Sequence, residues 1–114
     1  MEESLLDTSE LIALHRSGQL EIQAYTTIVN LIEFPKAEEF EHLKVLYPTA
    51  EDYDNALVWS TKLLEKGKPV PAVDLVVCAV SARMSLQLVT RDLHFKEIKA
   101  VAKDLRLQTK SGLS

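Results

Sequence analysis

Four acidic side chains stand where short apolar runs end. Asp7 follows Leu5-Leu6, Glu33 follows Leu31-Ile32, Asp74 follows Ala72-Val73, and Asp92 follows Val89-Thr90-Arg91. An ionised carboxylate at the end of a buried segment costs desolvation free energy unless something compensates it. Four such placements point to one shared compensator, and a divalent cation is the simplest. Carboxylate oxygens suit Mg²⁺ or Mn²⁺, which retain waters in their remaining positions. The histidines His15, His42 and His94 are scattered, have no zinc spacing and read as surface residues. A short chain with an all-carboxylate site points to metal-assisted hydrolysis of a phosphodiester.

Each acid also has a structural reading. Glu33, three residues after Asn30, has the spacing of a helix-capping pair. Asp74 suits a helix N-terminus through the dipole, and Asp92 can start a turn. Asp7 has the fewest structural duties. Other chemistries lack their parts: Gly18, Gly67 and Gly112 are isolated and form no phosphate loop, and no serine sits in a nucleophile elbow. Cys78 lies in an apolar run and reads as a small core residue.

The elements that must position these acids alternate between strand-like and helical patterns, as in a parallel sheet with helices on both faces. A short strand runs from Ser4 to Asp7, and Ser9 caps a helix ending near Gly18. A second strand covers Ile22 to Thr27. An amphipathic helix from Asn30 reaches Phe40, with a kink near Pro35. Leu43 to Leu46 alternates like an exposed or edge strand. Thr49 caps a helix with Ala56, Leu57, Trp59, Leu63 and Leu64 on its apolar face and Gly67 at its end. Pro71 opens the most hydrophobic helix, Ala72 to about Arg83, which must be largely buried. A strand over Leu86 to Thr90, a short helix from Phe95 and a weak strand over Leu105 to Gln108 complete the series. Ligands collect beyond the carboxyl ends of such strands, where all four acids can converge.

With 114 residues, 46% of them hydrophobic and 26% charged, the chain fits one globular domain. Residues 1–110 are expected to form it, with 111–114 a disordered tail. The net charge of -4 conceals an acidic first half and a basic second half. That balance argues against a protein that coats nucleic acid nonspecifically, but a bound cation leaves nuclease chemistry open. The apparent lack of a signal sequence or membrane span predicts a cytoplasmic protein.

Four strings carry a family resemblance: Leu5-Leu6-Asp7-Thr8-Ser9, Thr26-Thr27-Ile28-Val29-Asn30-Leu31-Ile32-Glu33, Asp74-Leu75-Val76-Val77-Cys78-Ala79, and Val89-Thr90-Arg91-Asp92-Leu93-His94-Phe95. In that order they resemble the four motifs of PIN domains, especially the VapC-type toxins of prokaryotes. The resemblance implies a three-layer α/β/α sandwich around a parallel sheet of four to five strands. It also implies a Mg²⁺- or Mn²⁺-dependent ribonuclease, with Asp7, Glu33, Asp74 and Asp92 as catalytic and metal-holding residues and Ser9 and Thr90 in support. Its partners would be an RNA substrate, a cognate antitoxin protein and a second copy in a homodimer. Two alternatives stay open: an RNA-processing nuclease that is not a toxin, and a silent PIN-like binding module. A phosphoacceptor receiver domain would carry adjacent acids on the first strand and a lysine near the last, and this chain has neither pattern.

Overall fold

Leu5 and Leu6 are neighbours in the first strand, yet each is buried in a different core. Successive side chains of a strand point to opposite faces, so a strand apolar at every position needs cover on both sides. The same holds for Leu88 and Val89 in the strand beside it. These two strands form the centre of a sheet with helices on both faces.

The computed structural model describes residues 3–110; the expected tail at 111–114 lies outside them. The strands are β1 (Ser4–Leu6), β2 (Glu21–Thr27), β3 (Glu41–Leu46), β4 (Gln87–Thr90) and β5 (Arg106–Thr109). All pair in parallel, in the spatial order β3-β2-β1-β4-β5. The expected α/β/α sandwich is therefore the observed one, with five strands. Its edge strand β3 is the segment whose alternation suggests exposure.

On one face lie α1 (Thr8–Arg16), α2 (Ile28–Glu33) and a short 3-10 helix (Pro35–Glu39), packing Leu11, Leu31, Ala37 and Phe40 against Leu6 and Val89. On the other lie α3 (Ala50–Glu65), α4 (Ala72–Arg83) and α5 (Phe95–Val101). α4 buries every residue from Leu75 to Ser81, as its composition requires. Cys78 is in this core, and burial pushes its thiol pKa well up, with the nearby Asp74 and Asp7 charges adding to the rise.

Three local features differ from expectation. The cap of α1 is Asp7, whose carboxylate accepts from the Glu10 amide, and Ser9 lies inside the first turn. The helix expected from Asn30 to Phe40 is two pieces, because Pro35 disfavours helical backbone at Phe34, which adopts φ -140 and ψ 77. On α3, Ala56, Trp59 and Leu63 face the core at helical spacing, whereas Leu57 and Leu64 are exposed. Gly18 and Gly67 follow helix ends with φ of +80 and +70, the left-handed backbone that glycine adopts without strain.

α3 and α4 are fastened by one ion pair. Thr49 and Asp52 form a reciprocal capping box at the start of α3. The fully buried Asp52 carboxylate also receives two-pronged donation from Arg83 at the end of α4, Nε to Oδ1 at 2.9 Å and the terminal nitrogen to Oδ2 at 2.9 Å. Burial alone would raise the Asp52 pKa, but the Arg83 bonds, then the Thr49 amide, outweigh it and the net shift is downward. The pair thus stabilises the fold above the ordinary value of 3.8 and is lost as pH falls through the lowered folded value. Arg83→Met should leave a buried unpaired charge and cost about 3 kcal/mol at pH 7 in urea melts. That cost should fade below pH 3.8; a cost unchanged at low pH would show that the charge is not its origin.

Candidate active site at the switch point of the sheet

The chain turns from β1 toward β2 on one side and later returns to place β4 on the other side of β1. Loops leave this point in opposite directions, and the crevice between them is where open α/β sheets bind ligands. Asp7 leaves β1 there, and Asp92 follows β4 by two residues. α4 precedes β4 by a tight turn and runs against it, which carries the start of α4, with Asp74, to the same edge.

Asp7 is 4% exposed, and three donors meet its carboxylate. Thr90 Oγ1 donates to Oδ2 at 2.6 Å, Ser9 Oγ to Oδ1 at 2.8 Å, and the Glu10 amide to Oδ1 at 3.1 Å. Each hydroxyl in turn accepts a backbone N–H of the β4 loop, Thr90 from Asp92 at 3.0 Å and Ser9 from Arg91 at 2.9 Å. Two relays of this kind tie the loop carrying Asp92 to Asp7. Burial raises the Asp7 pKa, the Thr90, Ser9 and Glu10 bonds oppose it, and the Asp74 charge adds to the rise.

Asp74, in the first turn of α4, makes no capping bond. Its pKa is also raised, chiefly by burial, with the charges of Glu33 and Asp92 adding to it against the opposing effect of His94. Asp74 thus feels each of the other three acids. Glu33 is the last residue of α2 rather than in a first turn, so the expected capping pair with Asn30 does not form. The cap is Thr27, which accepts from the Asn30 amide. Glu33 is instead held by its neighbours: Thr27 donates to Asn30 Oδ1, Asn30 Nδ2 to Thr8 Oγ1, and Thr8 to Glu33 Oε1 at 2.7 Å.

His94 is not an unattached surface residue. Its Nδ1 lies 2.5 Å from Asp92 Oδ1 and its Nε2 2.5 Å from Asp74 Oδ2, while the ring stacks on Phe95 with centroids 4.9 Å apart. A ring that donates to both carboxylates is doubly protonated. Burial alone would lower the His94 pKa; Asp74 and then Asp92 reverse that, and the net shift is upward. His94, Thr8, Thr27 and Asn30 are site residues that acid placement alone missed. The hydroxyls beside Asp7 and ahead of Asn30, and a histidine two residues after Asp92, were their only signals.

The four acids share one edge but are not drawn into a tight triad, since His94 stands between Asp74 and Asp92. Among the described residues, the set of three ligand-type side chains whose atoms all lie within 4.8 Å is Glu21, Glu41 and His42. These are exposed and sit at the opposite, amino-terminal end of β2 and β3. The switch-point acids supply oxygen donors: Asp7 is buried and Asp74 half-buried, with pKa values raised chiefly by that burial, while Glu33 and Asp92 are exposed. They fit Mg²⁺ or Mn²⁺ through that donor set.

The geometry defines an α/β sandwich with an acidic crevice at its topological switch point. Solved structures of toxin–antitoxin systems have this fold. The chain is similar to VapBC-5 from Mycobacterium tuberculosis, with a TM-score of 0.76 and 21% identity over 96% of this chain and 100% of that one. It is similar to VapBC-1 from nontypeable Haemophilus influenzae, with a TM-score of 0.72 and 22% identity over 93% and 96%. DNA-bound VapBC from Salmonella typhimurium gives 0.72 and 19% over 96% and 98%. No family model and no curated protein matches the chain. The fold is thus the PIN-like one that the motif resemblance implies. Among the described residues, no helix is long and apolar enough to cross a membrane.

The raised Asp74 pKa has a stability consequence. Its ionisation is penalised in the folded state, so the penalty is present above the folded pKa and absent below 3.8. Asp74→Asn should raise the melting temperature of the metal-free protein by a few degrees at pH 7 and leave it unchanged near pH 3.5. A lower melting temperature at pH 7 would mean that the Asp74 charge is compensated in the free fold.

Proposed function

We infer that this chain is a Mg²⁺- or Mn²⁺-dependent endoribonuclease and the toxin of a toxin–antitoxin pair. The observation that carries the reading is the meeting of Asp7, Asp74 and Asp92, with Glu33 beside them, at the switch point of a parallel sheet. Asp7, Glu33, Asp74 and Asp92 would hold the metal, and Ser9 and Thr90 would orient the Asp7 oxygens. When bound, the metal would supply charge for the scissile phosphate and lower the pKa of the attacking water. Ile32 on α2, Tyr47 just after β3 and Leu93 in the turn after β4 are exposed large side chains, and the Tyr47 ring would offer a stacking face to an unpaired base.

The similarity to VapBC complexes supports an antitoxin protein as partner. The exposed Tyr53, Leu57 and Leu64 on α3 are apolar surface that a second copy would cover in a homodimer. Action on cellular RNA implies a cytoplasmic location. RNA processing without toxicity uses the same chemistry. The silent-module reading also has an observation in its favour: His94 is bonded to both Asp74 and Asp92 and, when protonated, would offset part of their charge without a metal.

Purified protein should cleave single-stranded RNA with Mn²⁺ and stop in excess EDTA. Asp7→Asn and Asp92→Asn should each lower the rate by more than about 100-fold, beyond the usual effect of outer-shell changes. Cleavage that survives the chelator or both substitutions would overturn the metal-dependent carboxylate site. Growth that continues on induction of active protein would overturn the toxin and leave RNA processing.

A further inference from the structure

Glu10 is a carboxylate with 1% exposure on the third residue of α1, a helix whose other buried residue is Leu11. It lies beside the acidic edge but is not one of the four motif acids, and its carboxylate oxygens are taken up by cationic side chains. Burying a charge is unfavourable unless its partners are good. Glu10 has two: Arg91 Nε donates to Oε1 at 2.8 Å, and Lys110 Nζ donates to Oε2 at 2.7 Å. The first comes from the turn after β4, the second from the residue after β5. Lys110 is also joined to β4 by its own amide, which donates to Thr90 O at 2.8 Å.

The consequence lies in where Arg91 sits. Its amide is bonded to Ser9, its side chain to Glu10, and the next residue is Asp92. One helical turn therefore carries Asp7 as its cap and holds Arg91 by backbone and side chain together. The separation between Asp7 and Asp92 is thereby set by this one unit, although 84 residues of chain lie between them. The Ser9 and Thr90 hydroxyls hold the turn only by its backbone, at the Arg91 and Asp92 amides. The Glu10 bond adds a third point, on the Arg91 side chain, which stiffens the turn against α1.

We propose that Glu10 is a positioning residue that locks the Thr90–Asp92 turn onto the first turn of α1 and so presets Asp92 against Asp7 for metal binding. The metal part rests on the reading under Proposed function; the locking part does not. Lys110 serves as the internal control, because it neutralises Glu10 without touching the turn by its side chain.

The test combines amide hydrogen exchange on the metal-free protein with Mn²⁺ calorimetry. Glu10→Leu should speed exchange of the Arg91 and Asp92 amides at least about tenfold relative to amides of α4, and weaken Mn²⁺ binding about 10- to 100-fold. Glu10→Gln, which still accepts from Arg91, should stay close to wild type in both. Lys110→Met should lower the melting temperature and change neither. If Glu10→Leu does not fold, Arg91→Met removes the same bond from the other side and should reproduce both effects. Unchanged exchange in Glu10→Leu or its substitute overturns the lock. A loss in Glu10→Gln as large as in Glu10→Leu assigns the effect to charge and also overturns it. Wild-type protein that binds no Mn²⁺ would sink the nuclease reading, while the exchange comparison would still decide the role of Glu10.

Discussion

The hydrogen bond from Thr90 to Asp7 is the contact on which the rest of the site depends. It crosses from the end of β4 to the end of β1, the two strands that flank the switch point, and it buries a charge where water is scarce. The same carboxylate caps α1, so one group joins two strands and a helix. Unlike an isolated acid, Asp7 has structural work and still carries a raised pKa. Three donors stabilise its charge without restoring what burial removed, which leaves the edge short of positive charge.

That shortage organises the neighbouring residues. Asp74 has no cap bond to satisfy it and feels the other three acids, so it turns to the nearest donor, His94. In the free fold the imidazolium acts as a local counter-ion, and a metal entering the crevice would compete with it for the same two carboxylates. The opposite balance holds at Asp52, where burial is outweighed by Arg83 and the charge strengthens the fold. Two aspartates thus have opposite consequences: Asp52 fastens helices, while the half-buried Asp74 keeps a raised pKa at the edge of the sheet even with His94 beside it, as functional sites commonly do.

Much of this was legible in the chain. Continuous apolar character in Leu5-Leu6 and Leu88-Val89 implies strands covered on both faces, and the apolar run from Leu75 to Val80 implies a buried helix. Thr49 with Asp52 and Gly67 marks both ends of α3. The acids at Asp7, Asp74 and Asp92 stand out because apolar segments end on them. Glu33 was assigned to the right edge for a wrong local reason, since the cap of its helix is Thr27 and its own partner is Thr8. Ser9 was expected at a helix cap and as a support of the acids, and only the second placement agrees with its bonds.

What sequence alone determined were the local quantities: period, capping chemistry, turn residues and the ends of apolar runs, all encoded within a few residues of one another. Composition and spacing were enough for the layered α/β architecture and for the list of acids. Only the tertiary structure decided the pairings across long separations, because they depend on which strands become neighbours. Thr90 meets Asp7, His94 joins Asp74 to Asp92, and Glu10 holds Arg91 and Lys110 through contacts that local pattern does not record. A carboxylate's desolvation and partners are properties of that packed edge, so the four acids could be named from the sequence, while their unequal charges and supports could not.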